Sequence, residues 1–300
     1  MPRTGVFFAS WRSRDYEGSG MDATVTHVEA STSLEALRKE IDRIDRDLHA
    51  RLIERGEIID RLIAVKARQG GGSAFRPARE AEMMRRLVQR HRGILPLDTV
   101  EGIWRIIIST FTYVQAPYTV HADTSGGDAR VRDSARFHFG FTVPLATYQG
   151  SRAVIRAVAA GPGDLGLVRA QDESCAWWTD LCEPDAPKII ARLPFVERAD
   201  HAAGLPLYVV AKSVREAAAH DILLYAVQLP GAAGRPRTDA PIEIVAWTAN
   251  ADGIALIAAV GEGVEPDHVA AAFPERQPRI AFIGSHAARF EVAQPEAAPL

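Results

Sequence analysis

The chain has 300 residues, room for about two domains at ~100–200 residues each, and 47% of them are hydrophobic, enough for packed cores. With 35 Lys and Arg against 38 Asp and Glu the formal charge is −3, which excludes the strongly basic balance of a chain built for nucleic acid or an anionic membrane. Two cysteines, Cys175 and Cys182, fall short of the four spaced ligands of a disulfide framework or a zinc site, so the expectation is a cytoplasmic protein with no metal or cofactor.

Residues 1–30 carry only a brief apolar stretch, Val6 to Ser10, too short for a signal peptide or a membrane span. They read as a disordered leader, with Met21 an alternative start. From Ser33 to Gln69 there is no proline, Gly56 is the one glycine, and apolar residues recur at 34, 37, 41, 44, 48, 52, 59 and 62. That period predicts one amphipathic helix of about 37 residues, roughly 55 Å at ~1.5 Å per residue. Ser33 is its N-cap, and Gly70-Gly71-Gly72-Ser73 stops it. So long a stripe needs a partner chain. A second helix is expected from Pro77, a favoured first-turn residue, to about Gly93, and a third from about Pro96 to Gln115. Together they make an all-α three-helix domain over residues 31–117.

Residues 118–130 read as a linker, and residues 131–295 as an α/β or α+β domain in which β-rich runs alternate with helical patterns. Expected strands are Phe137–Val143, Leu165–Arg169, Lys188–Leu193, Leu205–Ala211, Ile222–Leu229, Ile242–Thr248, Ile254–Val260 and Arg279–Ile283. Expected helices are Ser151–Ala160, Ser213–His220 and Pro266–Phe273. Gly161-Pro-Gly163 and Gly231 to Gly234 read as turns because neither has the strand–glycine–helix context of a phosphate loop. Cys175, Cys182 and His201 match no common metal-ligand spacing, and Ser285 with His286 lacks an acid partner for a triad.

The chemistry sits among the helices. Continuing the heptad from Leu34 through Leu48 puts Arg55 on the seam, where an unpaired buried guanidinium is costly. Lys66, eleven residues on, is rotated only about 20° from Arg55, so the two can grip one small anion. The other reading is that both snorkel at the edge of an ordinary coiled coil. Arg38 stands seventeen residues before Arg55, about 25 Å away along the axis, so it could share that anion only from a symmetry mate in an intertwined dimer, and alone it reads as a surface residue. Arg79 and Glu80 stand side by side in a first turn, where a carboxylate also suits the helix dipole. Gln115, near the end of the third helix, reads by itself as a solvent-facing amide.

The text LRKEIDRIDRDLHARLIERGEIIDRLIAVKARQG, then RPAREAEMMRRLVQRHRG, then VEGIWRIIISTFTYVQ, about 85 residues from Thr32 to Ala116, resembles the all-helical (type II) chorismate mutases. The resemblance implies an intertwined homodimer that isomerises chorismate to prephenate without cofactor, metal or covalent intermediate. It implies that Arg38 of the partner chain and Arg55 bind the two substrate carboxylates, with Arg79 in support. Lys66 and Gln115 would donate to the ether oxygen whose bond breaks, and Glu80 would accept from the ring hydroxyl. Such a reaction needs only conformational restriction and stabilisation of the charge growing on that oxygen. Two positions depart from the family: Arg76 replaces a common Asp, and Phe111 a small Ser, which narrows the pocket.

In the second domain, YQGSRAVIRAVAAGPGDLGLV and LPLYVVAKS are similar to parts of prephenate dehydratase, but the Thr-Arg-Phe signature and the ESRP-type regulatory motif of that family are missing. The expectation is therefore a mutase with a noncatalytic second domain. A bifunctional mutase–dehydratase, or a helical dimerisation module joined to a metabolite sensor, are the alternatives.

Overall fold

The computed structural model describes residues 33–68, 75–172, 175–212, 219–232, 234–238, 240–274 and 277–292. The expected leader, the glycine stop at 70–73 and residues 213–218 of the expected helix Ser213–His220 lie outside them. The chain divides into two compact units, Met1–Ile53 and Glu54–Leu300.

The helices α1 (Leu34–Arg68), α2 (Pro77–Arg90) and α3 (Leu97–Gln115) fall where the periodicity puts them. Ser33 caps α1 as expected, its hydroxyl oxygen accepting from the Ala36 N–H at 3.1 Å. Within the first unit, Leu34, Leu37, Ile41, Ile44, Leu48 and Leu52 are all exposed. The stripe that dictates the helix is therefore solvent-facing in a single chain. Helices α2 and α3 differ: Met84, Leu87, Val100 and Ile108 are buried in a core shared with the sheet.

The remaining elements are β1 (Val120–Asp123), α4 (Asp128–Phe139), β2 (Leu145–Tyr148), α5 (Ser151–Ala160), β3 (Leu165–Arg169), a 3-10 turn at Trp177–Leu181, β4 (Lys188–Leu193), β5 (Val196–Glu197), β6 (Leu207–Ala211), β7 (Ile222–Pro230), β8 (Glu243–Asn250), β9 (Gly253–Gly261), α6 (Pro266–Ala271), β10 (Arg279–His286) and β11 (Phe290–Glu291). Nine strands form one sheet in the order β2-β1-β3-β6-β4-β10-β7-β9-β8, and β11 pairs separately with β5. The first three are parallel neighbours joined through α4 and α5, a β-α-β-α-β start. From β3 onward the pairing is antiparallel except where β10 lies parallel to β4. The domain thus combines both expected classes, a parallel start and an antiparallel end.

Both faces are covered. On β9, Ala255, Ile257 and Ala259 enter one core while Ile254, Leu256, Ala258 and Val260 enter another beneath α6. Residues of alternate parity are apolar on both sides, which is why these strands read as unbroken hydrophobic runs. Gly284 lies at the bulge in the pairing of β10 with β7 and is also where β10 pairs with β4; its φ is +142° and a Cβ there would stand 2.1 Å from the Ile189 carbonyl oxygen.

Two expectations need correction. Residues 118–130 are not a linker: Val120 and Ala122 are buried in β1, which bonds to two strands at once. Four residues carry no visible alternation, so the strand is written only in tertiary pairing. Phe137–Val143 is not a strand, because Phe137 to Phe139 finish α4, whose Val131, Ala135 and Phe139 recur at helical spacing and are buried.

Candidate active site

Within the unit from Glu54 onward, the end of α1, the start of α2 and the end of α3 bring a group of cations together. Lys66 donates from Nζ to Gln115 Oε1 at 3.3 Å, and Gln115 is fixed in turn by donating from Nε2 to the Phe111 carbonyl at 3.0 Å. One turn earlier on α3, the Phe111 ring lies 4.5 Å from the Arg55 guanidinium carbon. The aromatic ring at the position of the family's small residue thus gives Arg55 a face to rest on.

Arg55 is half-buried, and its Nη1 is buried with no hydrogen-bond partner among the described residues. Burial first, and then repulsion from Arg79, hold its pKa below the usual arginine value. Lys66 behaves alike: burial, then the charge of Arg76, lowers its pKa. Arg76 and Arg79 themselves are exposed at the start of α2. Among the described residues no carboxylate pairs with any of these four cations. A cluster of this kind, charged at a cost and left unneutralised, has the chemistry to receive an anion.

Of the six expected site residues, Arg55, Lys66, Arg79 and Gln115 belong to this patch. Arg38 is exposed on α1 in the first unit. Glu80 is buried, and its Oε2 accepts from Arg105 Nη1 at 2.7 Å in a pair whose side chains are 6% and 0% exposed. Arg105 also donates from Nη2 to the His138 carbonyl at 3.3 Å and lies 5.0 Å from the Phe195 ring. Burial, followed by the Glu80 charge, raises the pKa of the nearby Tyr118 hydroxyl.

A second buried contact runs beside it. His201 Nδ1 accepts from the Ala203 N–H at 2.9 Å, so the hydrogen sits on Nε2, which donates to Glu101 Oε2 at 3.1 Å with both side chains fully buried. Sequence reasoning missed Arg105 and Glu101. The signal was present as two opposite charges four residues apart inside an apolar helix, although that spacing suggests a pair with each other, whereas each finds its partner on another element. His201 is thereby taken up by Glu101, and among the described residues no group of three or more His, Cys, Asp or Glu could hold a metal. Ser285 meets His220 Nδ1 at 3.2 Å and not its neighbour His286.

The match to known proteins follows this geometry: residues 37–116 fit the family model described as chorismate mutase type II. The amino-terminal part of the chain is a type II chorismate mutase domain. The similar proteins include a bifunctional chorismate mutase/prephenate dehydratase of Pseudomonas aeruginosa, 30% identical over 145 residues, which are 47% of this chain and 40% of that protein. Another with the same description, from Neisseria gonorrhoeae, is 31% identical over 83 residues, 28% of this chain and 22% of its own length. The chain thus spans less than half the length of these relatives. The X-ray structure of a prephenate dehydratase from Streptococcus mutans covers 57% of this chain and 99% of its own at 10% identity and a TM-score of 0.35. No helix among the described residues is long and apolar enough to cross a membrane.

Proposed function

We propose that the protein is a chorismate mutase working as a homodimer, converting chorismate to prephenate in phenylalanine and tyrosine biosynthesis, with a noncatalytic carboxy-terminal region. The observation that carries this reading is the unneutralised cluster of Arg55, Lys66, Arg79 and Gln115. Two of its cations have depressed pKa values, a cost that a bound dianion removes.

In this reading Arg55 and the Arg38 of a second copy take the two carboxylates, and Arg79 supports one of them. Guanidinium groups suit the task because bidentate contacts fix orientation as well as charge. Holding the flexible enolpyruvyl arm over the ring supplies much of the barrier lowering. Lys66 Nζ and the Gln115 amide meet the ether oxygen as the carbon–oxygen bond breaks and negative charge grows there. The hydrogen bond between the two side chains keeps them within reach of one ligand atom, which supports this assignment. The resemblance assigns Glu80 to the ring hydroxyl, but here its carboxylate is buried on Arg105, so this reading gives it a positioning role on α2 and no substrate contact. The second copy is supported by the stripe of α1, which a single chain leaves exposed from Leu34 to Leu52.

The test is loss of chorismate absorbance with purified protein, alongside Lys66→Ala and Arg55→Ala. Turnover that stops at prephenate and vanishes in both folded variants supports the reading; undiminished turnover in either variant, or none in the parent, rejects it.

A second reading, a bifunctional mutase–dehydratase, is favoured by one finding. The 145-residue similarity to the Pseudomonas protein is too long to end at residue 116, even if it began at residue 1. It predicts phenylpyruvate from prephenate. The missing Thr-Arg-Phe signature is the reason it stands second.

A further inference from the structure

A cavity separate from the cation cluster lies where β4, β5 and β11 meet the segment leading into β6. It measures about 340 Å³ and is lined by Arg192, Pro194, Glu197, Arg198, Ala199, Gly204, Pro206, Glu291 and Val292. At ~30 Å³ per water this is room for about ten waters, more than an inorganic ion needs and the size of a small organic molecule.

Its charges are unequal in what they have to bind. Glu197 is already shared: Oε1 lies 3.1 Å from Arg192 Nη2 and Oε2 4.0 Å from Arg289 Nη1. Arg198 has only a long contact, 3.5 Å from Nε to Asp200 Oδ1, and Asp200 is 68% exposed. The Arg198 side chain is itself 9% exposed, and its Nη1 and the Nε of Arg192 are buried without a partner among the described residues. A guanidinium so buried and so weakly compensated costs stability unless something completes it. The opposite wall, Pro194, Pro206, Ala199 and Val292, is apolar.

We propose that this cavity is a binding site for a small organic carboxylate with an apolar body, its carboxylate held by Arg198 beside the Arg192–Glu197 pair and its body against the two prolines. The proposal is independent of the mutase reading. Arg198 is the anchor; Arg192 is occupied on one edge by Glu197 and frames the site. An ammonium of the same shape is disfavoured, since of the two carboxylates in the lining Glu197 is already shared by Arg192 and Arg289, and Glu291 is exposed to solvent.

The test uses the full chain and isothermal titration calorimetry with 3-phenylpropionate, with phenethylamine as the same body bearing the opposite charge, and with inorganic phosphate. The parent protein binds 3-phenylpropionate and neither of the others. Arg198→Gln weakens that binding at least ~10-fold, as expected for losing one charge-assisted hydrogen bond, and Arg198→Lys weakens it less. Circular dichroism confirms that both variants fold. Arg55→Ala leaves it unchanged. Binding lost in Arg55→Ala but retained in folded Arg198→Gln belongs to the helical cations and overturns the proposal. Equal binding of phenethylamine or phosphate overturns it as well, as does absence of any binding to the folded parent.

Discussion

Replacing either member of the Glu80–Arg105 pair tests the structural half of the account most directly. The pair is 2.7 Å long, its side chains are 6% and 0% exposed, and it ties α2 to α3. Removing one partner strands the other as a buried charge, a loss of about 3–5 kcal/mol. Glu80→Leu leaves Arg105 with only the His138 carbonyl at 3.3 Å, and Arg105→Met leaves a carboxylate in an apolar wall. At ~2–4 °C per kcal/mol for a unit of this size, either change should lower the unfolding midpoint by roughly 6–20 °C. The double variant removes both charges together and should cost no more than either single change, because the penalty being measured is mostly that of the orphan. Urea unfolding followed by circular dichroism on the parent, both singles and the double gives all four corners of the cycle. Singles costing less than ~1 kcal/mol, or a double costing the sum of the two, would show that the pair is not buried as described.

The depressed Lys66 predicts an alkaline limb in kcat/KM below the ordinary lysine value, since that ratio reports the free enzyme; the limb in kcat lies higher because the bound dianion favours the charged amine. Lys66→Arg should move the kcat/KM limb upward, and a limb unmoved by it would assign the ionisation elsewhere. His286 is pushed down to about 4 by burial, against 6.5 unfolded, so it is neutral in the fold. Its contribution is present above pH 6.5 and lost as pH falls from there toward 4, because only the unfolded chain takes up the proton, on the order of 3 kcal/mol at most. The slope of unfolding free energy against pH should flatten in His286→Gln, and an unchanged slope would be inconsistent with a buried neutral ring. For the first unit, Leu37→Glu with Ile44→Glu should turn a dimer into a monomer in sedimentation velocity and abolish turnover with it; a parent that sediments as a monomer at all concentrations would remove Arg38 from the proposed site.

How far the sequence could be read depended on whether a signal is periodic or tertiary. Helix α1 was legible because its stripe recurs from Leu34 to Leu62 and its N-cap serine stands where needed. The strands β3, β4, β7 and β9 were legible as apolar runs because both their faces are covered. Strand β1 was not, since Val120–Asp123 has too few residues to show a period and owes its state to β2 and β3. The expected strand Phe137–Val143 failed because an aromatic-rich segment reads as β when the helix feeding it is not recognised. In the site, Arg55 and Lys66 were visible as cations on the face where the helical pattern wants apolar residues, whereas Gln115 was visible only through the family resemblance. The Glu80–Arg105 contact was not, because its partners are 25 residues apart on separate helices and no local rule joins them.

That contact also explains how a short helix start can serve two purposes. Arg79 and Glu80 are neighbours, so their side chains leave α2 about 100° apart. One is exposed beside Arg55, the other buried against Arg105. Sliding α2 by one residue so that Arg79 took the place of Glu80 would set two guanidinium groups together in the core and carry the Glu80 carboxylate off Arg105 into the buried place of Ala81. The energy that holds Glu80 on Arg105 is therefore also the energy that fixes the register of Arg79. Phe195 and the His138 carbonyl, which hold Arg105 from the sheet region, extend that constraint into the second half of the chain. In the proposed reading, the region beyond the helices in this way helps to set the position of a cation assigned to the substrate. Arg105→Met in a protein kept folded at low temperature should accordingly raise KM for chorismate while leaving the alkaline limb of Lys66 where it was, whereas an unchanged KM would confine the role of the pair to stability.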